Sequence, residues 1–270
     1  MAFVFAAALF VSAFLLFWVQ PLAGKMLLPL LGGTPAVWNT CMLFFQALLL
    51  AGYAYALALT RWLSALAQAA VHVALLAAAA LALPVALNAV AAGGVPVGAS
   101  PEWWLLKTLL VTVGPPFFVL SASAPLLQGW FSRTRAESAS DPYYLYAASN
   151  AGSLFALLGF PVLLEPARTL GQQSRAWAYL YGALCFLFAA CAVIAIRARK
   201  PTVKNEVSEA SPAPSEPLSV KRRLHWVLLA FVPSSLVLGV TTHITTDLVA
   251  VPLLWVIPLA LYLLSFVIVF

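Results

Sequence analysis

Charge is what this sequence has least of. Only 8% of its 270 residues are Asp, Glu, Lys or Arg, while 64% are hydrophobic and the mean hydropathy is +1.00. A soluble domain carries about 25% charged residues. A chain this apolar cannot cover a water-facing surface, so lipid must be its solvent. That excludes a soluble enzyme, and it removes nucleic acid as an explanation for the net charge of +6. Cysteine is also scarce. Cys41, Cys185 and Cys191 lie inside apolar runs and form no Cys-x-x-Cys pair, so each reads as a small buried hydrophobe rather than a disulfide or metal ligand. Chemical motifs are missing too. Gly32-Gly33 and Gly93-Gly94 are lone pairs in connections and no phosphate cradle. No His-x-x-x-His, Gly-x-Ser-x-Gly or clustered Cys/His set occurs, and His72, His225 and His243 are far apart. Nothing in the sequence points to a catalytic residue, a metal or an organic cofactor. Met1 to Phe10 contains no Lys or Arg, which excludes the basic start of a cleavable signal and predicts a retained first helix.

What is present is a series of apolar runs with one polar interruption. The expected fold is all-α, a polytopic membrane bundle of about eight transmembrane helices. The spans are placed at Phe3–Leu22, Val37–Leu59, Leu63–Val85, Trp103–Leu127, Tyr143–Leu164, Ala176–Ile196, His225–Thr242 and Val251–Phe270. Gly114-Pro115-Pro116 interrupts the fourth, where the proline pair removes backbone donors and forces a kink. The domain reading is a six-helix bundle over 1–196, a basic loop over 197–224 and two further helices over 225–270.

Ten of the 22 charged residues lie between Arg197 and Arg223. Pro201, Pro212, Pro214 and Pro217 interrupt that stretch, and its Ser, Glu and Lys content is too polar to bury a core, so it reads as a disordered loop. With this loop in the cytoplasm, the inside segments hold ten Lys and Arg. The outside holds four: Lys25, Lys107, Arg168 and Arg175. The positive-inside rule then puts the N-terminus in the cytoplasm. The basic clusters at the loop's ends are expected against anionic lipid headgroups. The tryptophans fall near span ends and read as an aromatic belt: Trp62, Trp130 and Trp226 inside, and Trp18, Trp38, Trp103, Trp104, Trp177 and Trp255 outside.

Polar residues at membrane depth are expensive, so each is a functional candidate. Helix from Phe3 to Leu31 would be about 43 Å long against a hydrocarbon core of about 30 Å. A break near Pro21 to Gly24 is therefore expected, with Gln20 satisfying freed backbone groups. Lys25 either snorkels to the headgroups or faces a cavity and meets an anion. Thr34 caps the second helix, with Pro35 at its first position. Asn39 and Gln46, seven apart on that helix, share a face. They suit either interhelical hydrogen bonding or a polar substrate path. On the fifth helix, Ala148, Gly152 and Ala156 form a small-residue packing seam, flanked by Asn150 and Ser153. Beyond it Glu165 reads as pairing with Arg168 on the surface, and Asp141-Pro142 reads as the N-terminal cap. His243 and Asp247 are four apart. If helical they share a face and suit proton coupling, and otherwise they belong to a polar turn.

Three segments resemble a known family. They are Phe17-Trp18-Val19-Gln20-Pro21-Leu22-Ala23-Gly24-Lys25 with Gly32-Gly33-Thr34-Pro35-Ala36-Val37-Trp38-Asn39 and on to Gln46; Tyr144-Leu145-Tyr146-Ala147-Ala148-Ser149-Asn150-Ala151-Gly152-Ser153 with Glu165-Pro166; and Val251-Pro252-Leu253-Leu254-Trp255 on to Leu263. Together they resemble the membrane region of bacterial fused major-facilitator/spermidine synthase-like proteins. The resemblance implies a bacterial inner-membrane location. It also implies an aminopropyltransferase-like domain that binds decarboxylated S-adenosylmethionine, as a downstream or separate partner. No position here matches that domain, and the chain stops at Phe270 inside apolar sequence, which reads as a piece of a longer protein or a truncated relative. Two functions follow as expectations. One is transporter-like handling of a small polar or cationic solute along Gln20, Lys25, Asn39, Gln46, Asn150, His243 and Asp247. The other is a membrane domain that anchors an aminopropyltransferase-like enzyme or feeds it substrate. A non-catalytic membrane scaffold is the plainest alternative.

Overall fold

A computed structural model of the chain describes residues 1–87, 94–135, 143–198, 219–244 and 256–269. The helices are α1 (Ala2–Leu31), α2 (Pro35–Trp62), α3 (Ala65–Ala80), α4 (Pro101–Thr112) and α5 (Gly114–Phe131). Next come α6 (Tyr143–Gly159), a π turn at Phe160–Leu164, the short α7 (Glu165–Ala167), α8 (Leu170–Arg197), α9 (Val220–His243) and α10 (Val256–Val269). Every regular element among the described residues is helical. Five runs are long and apolar enough to cross a membrane: α1, α2, α6 through α7, α8 and α9. The α4–α5 pair makes a sixth if its two halves count as one span. They meet at a 67° bend, where the Gly114-Pro115-Pro116 kink was expected.

Several boundaries differ from the sequence reading. Helix α3 ends at Ala80, and its 16 residues reach only about 24 Å. The last described helix, α10, is 14 residues long. The expected third span is therefore shorter here than a bilayer crossing, while residues 251–255 and 270 of the expected eighth lie outside the described residues. Helix α9 starts at Val220 rather than His225, because Ser219 caps it through the Arg222 amide. The basic run Lys221–Arg223 is thus helical, and the Arg222 guanidinium lies over the Trp226 ring. Residues 199–218, Asp141-Pro142, Trp255 and the segment from Thr245 to Trp255 lie outside the described residues.

The expected break in α1 does not occur. The helix runs uninterrupted past Pro21 and Pro29. Proline is tolerated in a membrane helix when neighbours enclose the weakened turn. Pro21, Leu22, Ala23 and Gly24 are all buried here. The Thr34 cap of α2 is present, with its hydroxyl accepting from the Val37 amide.

Helix α1 is the centre of the bundle. It packs most extensively on α6 and also on α8 and α5, while α2 packs on α5 and α3 on α8 and α5. Lipid tails are as apolar as leucine, so close packing and hydrogen bonds hold membrane helices together. The closest approaches fall at glycines. A Cβ on Gly152 would strike the Phe10 backbone, one on Gly52 would strike the Ser121 side chain, and one on Gly24 would come within 2.6 Å of the Trp38 ring. The seam expected on α6 is therefore an α1 contact. Gly152 and Ala156 are buried in it, and Ala148 is half-buried. Helix α10 packs on α6, and α9 contacts α10 while remaining exposed over nearly its whole surface.

The tryptophan belt is only partly observed. Trp62, Trp103 and Trp226 are exposed. Trp18, Trp130 and Trp177 are core residues instead. Position near a span end does not decide which way an indole points. Two of these three find an internal acceptor: Trp177 Nε1 donates to the Leu15 carbonyl at 2.9 Å and Trp130 Nε1 to Gln68 Oε1 at 3.0 Å.

Gly152→Ala is expected to lower unfolding stability in detergent by about 1–3 kcal/mol, because backbone cannot give way as a side chain can. Gly182→Ala, where an added Cβ meets nothing within 4 Å, serves as the control. It is expected to be neutral or to stabilise by up to about 1 kcal/mol. Thermal unfolding of the purified pair measures the difference.

Candidate functional site

Helix α1 carries two of the polar candidates. Gln20 is half-buried, and its amide donates to the Leu16 carbonyl at 3.1 Å, one turn back on the same helix. The carbonyl left without its usual amide by Pro21 is that of Phe17, four residues before the proline. Gln20 therefore reinforces a turn that is already bonded. Lys25 forms an ion pair with Glu165, and the two side chains keep 19% and 34% exposure. The anion that Lys25 meets thus comes from the same chain, and Glu165 pairs with Lys25 rather than with Arg168.

The surroundings of that pair are built from four helices. Gly24 presses on the Trp38 ring of α2. Glu165 follows the π turn directly, and its amide donates to the Phe160 carbonyl, five residues back. From α8, the Gln173 amide donates to the carbonyls of Leu164 at 3.2 Å and Arg168 at 3.1 Å. Gln173 is buried, and its Oε1 has no hydrogen-bond partner among the described residues. A capping box of Thr169 and Gln172 begins α8 just before it.

The α2 candidates point elsewhere. Asn39 and Gln46 are both exposed, on the face that also shows Leu43, Leu50, Tyr53 and Leu57. On α6, Asn150 lies one turn after Tyr146 and is half-buried, while the Ser153 hydroxyl bonds back to the Ser149 carbonyl at 3.2 Å. His243 is exposed at the end of α9, and its expected partner Asp247 lies outside the described residues. A cavity of about 360 Å³ opens between Leu30 and Leu31 of α1, Thr34 and Thr40 of α2 and Glu102 of α4, and none of the predicted path residues lines it. Among the described residues, no three His, Cys, Asp or Glu side chains are grouped to hold a metal ion.

A second polar cluster was not singled out from the sequence. Gln68 is fully buried, donating to the Leu63 carbonyl at 2.8 Å and accepting from Trp130. One turn on, His72 is also fully buried. Its Nδ1 is 3.4 Å from the Tyr55 hydroxyl, its ring lies against Phe188, and its Nε2 has no partner among the described residues. Helix α8 adds a row of donors. Ser174 bonds to the Val85 carbonyl, Trp177 to Leu15, Tyr181 to Leu76 and Cys191 to Val4. The spacing of 174, 177, 181 and 188 at three, four and seven residues was the available signal, since it puts a hydroxyl, an indole, a phenol and Phe188 on one helix face.

Comparison with protein-family models, with curated proteins and with solved structures finds no match to this chain.

Gln68→Leu is expected to cost about 1–3 kcal/mol, because it leaves the buried Trp130 indole and the Leu63 carbonyl without their partner. The paired change Gln68→Leu with Trp130→Phe is expected to recover part of that loss. Thermal unfolding of the two variants reads both effects.

Proposed function

We propose that the chain is a transporter-like membrane module that handles a small polar or cationic solute. One observation carries this reading. Asn39 and Gln46 are exposed on α2, a helix long and apolar enough to span a membrane. A polar side chain facing lipid is costly, so such a face belongs against water or against other polar groups. Tyr53 is exposed on the same face, and Asn150 lies half-buried on α6. Gln20 and the Lys25–Glu165 pair supply polar groups on α1. His243 and Asp247 are held as proton-coupling candidates on the strength of their spacing alone.

The topology belongs to the same proposal. Eight crossings require α3 to cross together with the non-helical residues 81–86 that follow it, and α10 together with residues outside the described set. The 197–224 loop is then cytoplasmic, as is the N-terminus, and the membrane is a bacterial inner membrane with its anionic headgroups near Lys221–Arg223. The motif resemblance favours a second reading, in which the same polar face passes substrate to an aminopropyltransferase-like domain. Both readings need the polar face. Only the second needs that partner.

Proteoliposome uptake with labelled polyamines and amino acids tests the proposal. Saturable uptake that falls at least about tenfold in Asn39→Leu or Gln46→Leu is the expected result. Unspecific leak that these changes leave unaltered overturns it. Separately, Gln46→Cys is expected to react with a membrane-impermeant maleimide, whereas Phe186→Cys, exposed on α8, is expected to stay unreactive as a lipid-facing position. Labelling of cysteines at 201–220 from the periplasmic side would contradict the orientation.

A further inference from the structure

We propose that the π turn at Phe160–Leu164 is a register device that aims Glu165 at Lys25, and that the resulting ion pair is a latch holding the end of α6 and α7 onto α1. The inference does not depend on transport. It rests on the order of residues along one helix face. On α6 the row through Gly152, which packs on α1, advances four at a time. Ala148 is half-buried, Gly152 meets the Phe10 backbone, and Ala156 and Phe160 are buried above it. Continued as ordinary helix, the next residue in that row is Leu164. The residue that meets α1 is Glu165.

The difference of one residue is the wide turn itself. The Glu165 amide donates to the Phe160 carbonyl five residues back, instead of to Pro161 four back. That extra residue turns everything beyond it by about 100° relative to a regular helix. Pro161 helps to cause it, because its ring has no N–H for the Leu157 carbonyl and crowds that carbonyl. Gln173 then clamps the turn from α8 through the Leu164 and Arg168 carbonyls. Single-turn π bulges inside helices are rare and occur frequently at functional sites. Here the residue that the turn points is an acid, and the residue it meets is the cation expected to snorkel or meet an anion. At 19% and 34% exposure the two side chains are only partly enclosed, so the pair can open without unfolding the bundle.

The test uses the full chain in membranes, with Cys41, Cys185 and Cys191 replaced by Ala. Lys25→Cys with Glu165→Cys is expected to cross-link with a short bifunctional thiol reagent. Insertion of one alanine after Leu163, a second extra residue, is expected to reduce that yield at least about tenfold, whereas deletion of Leu163 closes the turn to ordinary helix with Glu165 four residues after Phe160 and is expected to keep it. A control pair below the turn, Phe10→Cys with Phe155→Cys, whose native rings are 5.9 Å apart, is expected to cross-link equally in the parent, the insertion and the deletion. A Lys25→Cys/Glu165→Cys yield unchanged by the insertion, or lost on the deletion, overturns the register argument, as does no cross-link with the turn intact. The latch is tested without any deletion. Leu22→Cys, fully buried one turn from Lys25, is expected to react with an impermeant maleimide at least about tenfold faster in Glu165→Gln than in the parent. The exchange Lys25→Glu with Glu165→Lys is expected to restore the slow rate. A rate indifferent to Glu165→Gln, or one that stays fast in the exchange, rejects the latch.

Discussion

The close approach of α6 to α1 is the contact on which the rest of the bundle depends. Gly152 lets the α6 backbone reach the Phe10 backbone, and no side chain fits between them. Helices cannot be driven together in lipid by hiding apolar surface, because lipid hides it equally well. Dispersion across a tight fit takes over that role. The same device recurs at Gly52 against Ser121 and at Gly24 against Trp38. With α6 held at this distance, its far end lies within reach of Lys25. That distance, together with the π turn, turns a helix-packing seam into the support for an ion pair.

Helix α8 supplies a second kind of restraint. Its buried face offers N–H, O–H and S–H groups to carbonyls of α1, α3 and Val85. Each carbonyl has a second lone pair that a helical amide leaves free, so these bonds form without breaking the helices that accept them. They fix where α8 sits along α1, which apolar contacts alone do little to specify. Trp130 and Trp177 show that a position near a span end does not by itself make an aromatic belt. An indole at a span end is equally suited to the headgroup region and to an internal acceptor, and the choice depends on the partner helix.

The candidate site was legible in part. Lys25 could be picked out because a cation at the end of an apolar run needs an explanation. Its partner could not, since Glu165 lies 140 residues away and Arg168 was the nearer opposite charge. The π turn has no reliable signature beyond Pro161, and without it Leu164 would have been placed against α1. Asn39 and Gln46 were correctly placed on one face from their spacing of seven. Spacing could not tell whether that face is covered, and in the structure it is exposed. Gln68 and His72 were passed over because a polar residue among alanines looks isolated until Trp130 and Tyr55 come in from other helices.

The sequence by itself determined the solvent. With 8% charge and long apolar runs, only internally bonded backbone can survive, so helices were obligatory. It also determined local caps such as Thr34, whose side chain and amide partner are three residues apart. The tertiary structure decided whether α1 would break at Pro21, which indoles would turn inward, and which acid Lys25 would meet. Those outcomes depend on groups that distant helices bring alongside. The bond that Pro21 removes lies where neighbours enclose it, and an ion pair forms only where two backbones hold its charges within reach.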